Sequence, residues 1–330
     1  MARRPDDARP RRTPTLAARL ILISLLVLVA LPGCSIKRYA LKGVANSLTS
    51  GPDVFGTDDD PELVRDALPF GLKTMESLLA SLPEHEGLLL TLCKGYTQYA
   101  YAYVQSEGDL LVNTDYARAT ALHERAYRLY LRAQGYGLRA LSLRHRGIGD
   151  SLRLLPDQAA SWLVKRDLPA LYWTAASWGS AIAMGKDKPE MLADLPAIRA
   201  LVERGLVLDE RFEAGSFHEA AIVLDALPEV MGGSADRARA HFARAVEISG
   251  DHRASPYVTL AQSVSVMKQD RGEFRRLLEH ALAMDPDRDP SQRLATIVLQ
   301  RKARALLARQ DEFFLDDSPA PETPKTQEKR

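Results

Sequence analysis

Apolar residues recur along most of this chain at the spacing of one face of an α-helix. Ala119, Leu122, Ala126 and Leu129 follow one another at intervals of three and four residues, and the stretch 277–282 has the same spacing. The chain lacks runs in which apolar and polar residues alternate with a period of two, which is the pattern of half-buried strands. The pattern predicts an all-α fold of roughly ten to twelve helices, joined by short Gly or Pro turns.

Two segments near the C-terminus repeat the same spacing of small and large residues. Ala238, Phe242 and Ala245 are followed 36 residues later by Phe274, Leu278 and Ala281, and Pro286 stands five residues after Ala281. This resembles the second helix of a tetratricopeptide repeat (TPR), whose period is about 34 residues. The repeat predicts a TPR-like array of helical hairpins, an α-solenoid, in which neighbouring hairpins bury one another's apolar faces.

The N-terminus has the pattern of a lipoprotein signal peptide. An Arg-rich start precedes an almost wholly apolar run from Leu20 to Leu31, which is too short to span a bilayer. Leu31-Pro32-Gly33-Cys34 then resembles the bacterial lipobox, which implies acylation of Cys34 with chains such as palmitate, and Ser35 suggests the periplasmic face of the outer membrane. We expect a signal peptide at 1–33, a lipidated segment and linker at 34–59, a helical domain at 60–315 and a disordered tail at 316–330.

Composition and charge exclude several classes of protein. With 46% apolar and 26% charged residues, the chain can bury a core without crosslinks, and with Cys34 lipidated Cys93 has no partner for a disulfide. Removing residues 1–33 leaves 38 basic and 41 acidic side chains. A mildly acidic body of this kind lacks the clustered positive charge that nucleic-acid binding requires.

Sequence patterns typical of catalysis are incomplete. Gly149-Asp150-Ser151-Leu152 matches the nucleophile block of a hydrolase superfamily, but no His stands three residues after an Asp to supply the base. His123-Glu124 begins a zinc motif that fails at Tyr127. We therefore expect no enzyme, no metal site and no cofactor, and keep hydrolysis through Ser151 as a third-ranked hypothesis.

Aromatic residues with polar ends cluster in two stretches of the chain. A group of them at helical spacing is typical of a hairpin core, but it is also what a ligand-binding cleft looks like. The candidate cleft residues are Tyr96, Tyr99, Tyr103, Tyr172, Trp173 and Trp178.

Four ordered motifs occur along the chain: LPALYWTAASWGSAI (168–182), GGSADRARAHFARAVEISG (232–250), SPYVTLAQSVSV (255–266) and RRLLEHALAMDP (275–286). With them the chain, from about residue 34 to residue 315, resembles the T component of TRAP transporters, the TatT family. The resemblance implies a TPR-like periplasmic lipoprotein, often a homotrimer and not an enzyme, that associates with the transporter's periplasmic solute-binding (P) component and holds an apolar cleft or pore.

Two functional hypotheses follow. In the first, a lipid-anchored module binds a hydrophobic or amphipathic small molecule between helices and docks the solute receptor through the concave surface of the helix pairs. In the second, the array is a scaffold for envelope or outer-membrane protein assembly that grips peptide segments. A continuous cavity lined by Tyr and Trp would favour the first hypothesis, and a filled core with an exposed groove would favour the second.

Overall fold

The computed structural model describes residues 33–185 and 188–315. Over these residues it consists of helices and turns, which confirms the predicted all-α class. Ten of the described helices have ten residues or more. In chain order the helices are α1 (Gly33–Ser50), α2 (Pro61–Ser81), α3 (Glu86–Tyr99), α4 (Ser106–Leu111), α5 (Tyr116–Ser142), α6 (Ile148–Leu154), α7 (Pro156–Ser161), α8 (Leu168–Met184), α9 (Pro189–Leu192), α10 (Leu195–Asp209), α11 (Ser216–Asp225), α12 (Ala235–Ser249), α13 (Ser255–Leu260), α14 (Arg271–Ala283) and α15 (Arg293–Ala308).

Helix starts follow local chemistry. The Asp60 carboxylate accepts hydrogen bonds from the backbone amides of Glu62 and Leu63, and the Ser234 hydroxyl accepts one from Arg237. These bonds satisfy amides of the first turn that have no partner inside the helix. Two π-helical segments, Ala100–Gln105 after α3 and Ala261–Ser265 after α13, continue their helices.

The predicted N-terminal regions fall partly outside the described residues. Residues 1–32 of the predicted signal peptide lie there. The side chain of Cys34 and the predicted tail 316–330 lie there as well. The predicted linker 34–59 is helical as far as Ser50, because no Pro interrupts it before Gly51-Pro52. No described helix combines the length and the apolar character that a membrane span requires.

Apolar residues form two cores. The first core lies among α2, α3, α5, α8 and α10 and contains Leu72, Tyr130 and Trp178. The second core lies among the helices from α11 to α15. The predicted TPR-type positions belong to this C-terminal half: Ala238, Ala245, Phe274, Leu278 and Ala281 are buried, while Phe242 and Pro286 are half-buried.

The last helix closes the array on its first half. The backbone amide of Leu294 donates to the carbonyl of Gly56, and Arg301 forms an ion pair with Glu62 on α2. Tyr101, in the first π segment, packs against both cores. Helices that are far apart in the chain are therefore neighbours in the structure, and loops from different parts of the chain lie close together.

Candidate functional site

A mixed aromatic and charged cluster forms where α3, α8 and two loops meet. The Nζ atom of Lys94 on α3 lies 5.9 Å from the ring centroid of Trp173 on α8 and 3.0 Å from Oδ2 of Asp53. Trp173 is buried, and Tyr172 beside it meets its ring edge to face at 5.0 Å. We call Lys94, Tyr172, Trp173, Glu213 and Arg253 the Trp173 site.

The aromatic side of the Trp173 site continues into the first core. The ring centroid of Tyr172 lies 5.9 Å from that of Phe212 and 5.4 Å from that of Phe217. Burial raises the pKa of the Tyr172 phenol, so the ring stays neutral at physiological pH. Flat apolar faces of this kind hold a ligand by burying its apolar area.

Arg253 joins the two loops on the polar side. Its Nη1 atom donates to the backbone carbonyl of Glu213 and to Oγ of Ser216 at 3.1 Å, and lies 3.6 Å from Oε1 of Glu219. Burial opposes the charge of Arg253, but Glu219 and Tyr172 together leave its pKa raised. Nε of Arg253 and Oε1 of Glu219 are buried without a hydrogen-bond partner among the described residues. Both atoms are closed to solvent, and among the described residues Oε1 of Glu219 has only its ion pair with Arg253.

Glu213 stands in an unusual backbone conformation. Glu213, Ala214 and Gly215 have φ angles of 42°, 54° and 93°, a run in the left-handed region that only Gly adopts at low cost. Desolvation by neighbouring protein atoms raises the pKa of the Glu213 carboxyl, although Lys94 and Arg253 act in the opposite direction. The surrounding structure therefore holds a carboxyl group of raised pKa beside two cations and an indole.

The remaining predicted cleft residues lie elsewhere. Tyr96 and Tyr99 are buried in the first core, and Tyr103 is half-buried against it. Trp178 is fully buried, and its Nε1 donates to Oδ2 of Asp194 at 3.0 Å. Of the six predicted residues, only Tyr172 and Trp173 belong to the Trp173 site, and a ligand role for the other four stays a prediction.

A second feature is an open groove of about 410 Å³ between α12, α13 and α14. Its floor contains Phe242 and Tyr257, whose rings meet edge to face at 5.1 Å, and His280 stacks on Tyr257 at 4.2 Å. Arg239 forms a two-pronged ion pair with Glu273 at its side. The exposed Arg276 completes the rim and gives it positive charge.

Sequence reasoning missed Lys94, Glu213 and Arg253 at the Trp173 site and Tyr257 at the groove. Lys94, Glu213 and Arg253 belong to no motif, and Tyr257 lies in the motif 255–266 without having been singled out as a site residue. Each reaches its site through contacts between distant parts of the chain. In the part of the chain described by the structure, no three metal-ligating side chains come together.

The fold and the two sites define a TPR-like helical protein with a partly exposed candidate ligand site and a separate open groove. The family model of the TRAP transporter T-component matches residues 57–314, so the chain belongs to that family. An uncharacterized protein of Treponema pallidum (strain Nichols) is 29% identical over 305 residues, which cover 86% of this chain and 94% of the relative. Membership associates the chain with TRAP transporters.

Proposed function

We propose that this protein is a non-enzymatic, lipid-anchored component of a TRAP transporter that binds a hydrophobic or amphipathic small molecule at the Trp173 site. The observation that carries the proposal is the junction of a buried indole with two cations and a carboxyl group of raised pKa, Glu213. An apolar ligand with a polar end matches this junction, because its apolar part gains about 25 cal/mol per Å² buried. Its polar end would pair with the charged groups of Lys94 and Glu213, which are the accessible part of the site.

Ligand binding is tested by native mass spectrometry of the purified, unacylated protein and by titration with the amphipathic dye anilinonaphthalene sulfonate. We expect a co-purified small molecule and saturable dye binding, both lost in Trp173→Ala. Trp162→Ala is the matched control, because Trp162 is 40% exposed and lies outside the site. Equal dye binding by the two variants would refute a ligand role for Trp173.

The groove between α12 and α14 is the proposed docking surface for the solute-binding component of the transporter. Its aromatic floor supplies apolar area, and Arg276 at the rim supplies charge that a receptor surface of opposite sign would complement. Surface plasmon resonance with the periplasmic solute receptor of a TRAP transporter from the same organism tests the proposal. Arg276→Glu should slow association, whereas Arg304→Glu, at an exposed position on α15, should leave it unchanged.

Anchoring and assembly complete the proposal. Acylation of Cys34 would place the protein on the periplasmic face of the outer membrane, and radiolabelled palmitate should enter the wild-type protein but not Cys34→Ser.

The homotrimer implied by the family resemblance is tested by sedimentation velocity of the unacylated protein. A single species with the mass of one chain would remove the trimer from the proposal.

The scaffold hypothesis remains the second candidate, because the packing of Tyr96, Tyr99 and Trp178 in the first core and the open groove are the features named above as favouring it. It differs from the first in what fills the groove: a peptide segment of an envelope protein in place of a folded receptor. The two hypotheses are distinguished by replacing Arg276 with a photoreactive residue and cross-linking in cells that express the transporter. Adducts with outer-membrane proteins and none with the receptor would favour the scaffold.

A further inference from the structure

Helix α1 presents an apolar face away from the protein. It packs on the first core through Leu41 and Ala45, and Ala45 is fully buried. Successive residues of a helix are rotated by about 100°, so Ile36 and Tyr39 point away from that contact. Ile36 is 66% exposed and Tyr39 is 82% exposed, with the small Gly43 between them and the next turn.

The charge of α1 is of one sign. Lys37, Arg38 and Lys42 are exposed, and the helix contains no Asp or Glu. By rotation about the helix axis, Lys42 lies about 90° from the middle of the Ile36–Tyr39 face, and Lys37 and Arg38 lie about 130° from it on its two sides. Since the mature chain carries an excess of acidic side chains, this concentration of basic residues is local to α1.

We propose that α1 lies in the headgroup region of an anionic bilayer, with Ile36 and Tyr39 inserted and Lys37, Arg38 and Lys42 among the lipid phosphates. An interfacial helix needs an apolar face flanked by basic residues, with an aromatic side chain at headgroup depth. The described residues of α1 supply all three.

The position of α1 in the chain indicates that its exposed apolar face contacts a bilayer. Ile36 stands two residues, or about 3 Å of helix, after Cys34, so the proposed acyl anchor would bring the lipid surface to the first turn. In this respect the inference rests on the proposed function. It adds to the anchor a second membrane signal, which fixes the side of the helical array that faces the membrane.

The experiment uses the unacylated Cys34→Ser chain, so that the anchor cannot carry the binding. We expect it to co-sediment with phosphatidylglycerol vesicles, to bind phosphatidylcholine vesicles far less, and to be released by salt. Neutralising Lys37, Arg38 and Lys42 to Gln should weaken binding roughly fivefold per residue, on the order of a hundredfold in all.

The apolar face and the basic residues are each tested against a matched control. Ile36→Asp with Tyr39→Asp should abolish binding, whereas Val230→Asp, at a position 96% exposed elsewhere on the surface, should not. The control for charge is the triple replacement of Lys268, Arg275 and Arg304 by Gln, all of which are exposed. All variants lie on the surface, and their circular dichroism and melting should match the parent.

Three outcomes would overturn the proposal: no binding of the parent to anionic vesicles, equal loss with both triple variants, or unchanged binding after Ile36→Asp with Tyr39→Asp. Self-association of the parent that Ile36→Asp abolishes, without vesicle binding, would assign the face to a second copy of the chain instead. Palmitate labelling at Cys34 is read separately, so failure of the anchor and failure of the helix are distinguishable.

Discussion

Closure of the helical array depends on a buried ammonium group whose partners lie on the opposite half of the chain. Lys302 on α15 has a side chain only 9% exposed, with Nζ 3.2 Å from the Tyr101 hydroxyl and 3.8 Å from Oδ2 of Asp109. Burial acts to lower the pKa of Lys302, but Tyr101 and Asp109 outweigh it and leave the pKa raised. The contact between the two halves of the chain therefore contains a buried charge. The loss in free energy of unfolding depends on which partner of that charge is replaced.

The magnitudes follow from the distance. At 3.8 Å the Coulomb attraction between Lys302 and Asp109 is about 4 kcal/mol at an effective dielectric constant of about 20, and about 1 kcal/mol in water. Asp109 is 35% exposed, so the effective value lies between these limits, at about 2 kcal/mol. Asp109→Asn should lower the free energy of unfolding by about that amount, because it leaves the ammonium buried and unpaired. Lys302→Met should cost less than about 1 kcal/mol, because Asp109 keeps its bond to His123 at 3.0 Å.

Urea denaturation followed by circular dichroism measures both single variants and the double variant. If the buried charge is the source of the cost, Lys302→Met should rescue Asp109→Asn, and the double variant should be more stable than Asp109→Asn alone. His123→Gln controls for the loss of the imidazole bond to Asp109. Additive losses in the double variant, or a larger loss in Lys302→Met than in Asp109→Asn, would refute this reasoning.

Three further predictions concern packing, pH and reactivity. A Cβ atom on Gly205 would lie 2.2 Å from the Phe217 ring, so Gly205→Ala should lower the free energy of unfolding by about 1–3 kcal/mol in the same urea assay. Arg244 and His218 lower the pKa of Glu210 to about 2. The stability that ionised Glu210 contributes is therefore present above its unfolded pKa of about 4.5 and is lost as pH falls through about 2. The difference in urea midpoint between wild type and Glu210→Gln should shrink over that range. Burial raises the pKa of Cys93 to about 12, so iodoacetamide at pH 8 should label it only after unfolding, as read by mass spectrometry.

Local sequence information predicts the helices well and their partners poorly. The spacing of Ala119, Leu122 and Ala126 is enough to identify an amphipathic helix, and Asp60 identifies a helix start, because both depend on residues a few positions apart. The contact between Tyr101 and Lys302 joins residues 201 positions apart and has no local pattern. The fold class was therefore predictable from the sequence, and the closure of the array was not.

The Trp173 site was predictable in part for the same reason. Tyr172 and Trp173 stand out because aromatic residues with polar ends are uncommon and adjacent here. Lys94, Glu213 and Arg253 look like ordinary charged residues of solvated faces, and only the meeting of two loops with α3 and α8 gives them a shared environment. The left-handed run that begins at Glu213 has no sequence signal before Gly215, because Glu and Ala seldom adopt that conformation.

The Tyr and Trp side chains outside the Trp173 site show which property separates a residue that only packs from one that could contact a ligand. A polar end is not enough, because the Tyr130 hydroxyl donates to Gln105 at 2.6 Å and the Trp178 indole donates to Asp194, so both are satisfied within the protein. The hydroxyl of Tyr103 differs, because it is buried and meets no hydrogen-bond partner among the described residues, whereas the Tyr96 hydroxyl lies beside Glu76 and Arg132. A buried hydroxyl without a partner costs about 1–3 kcal/mol, which a bound water or the polar atom of a ligand recovers. Partner satisfaction, rather than residue type, therefore ranks Tyr103 above Trp178 as a candidate for contact with a bound molecule.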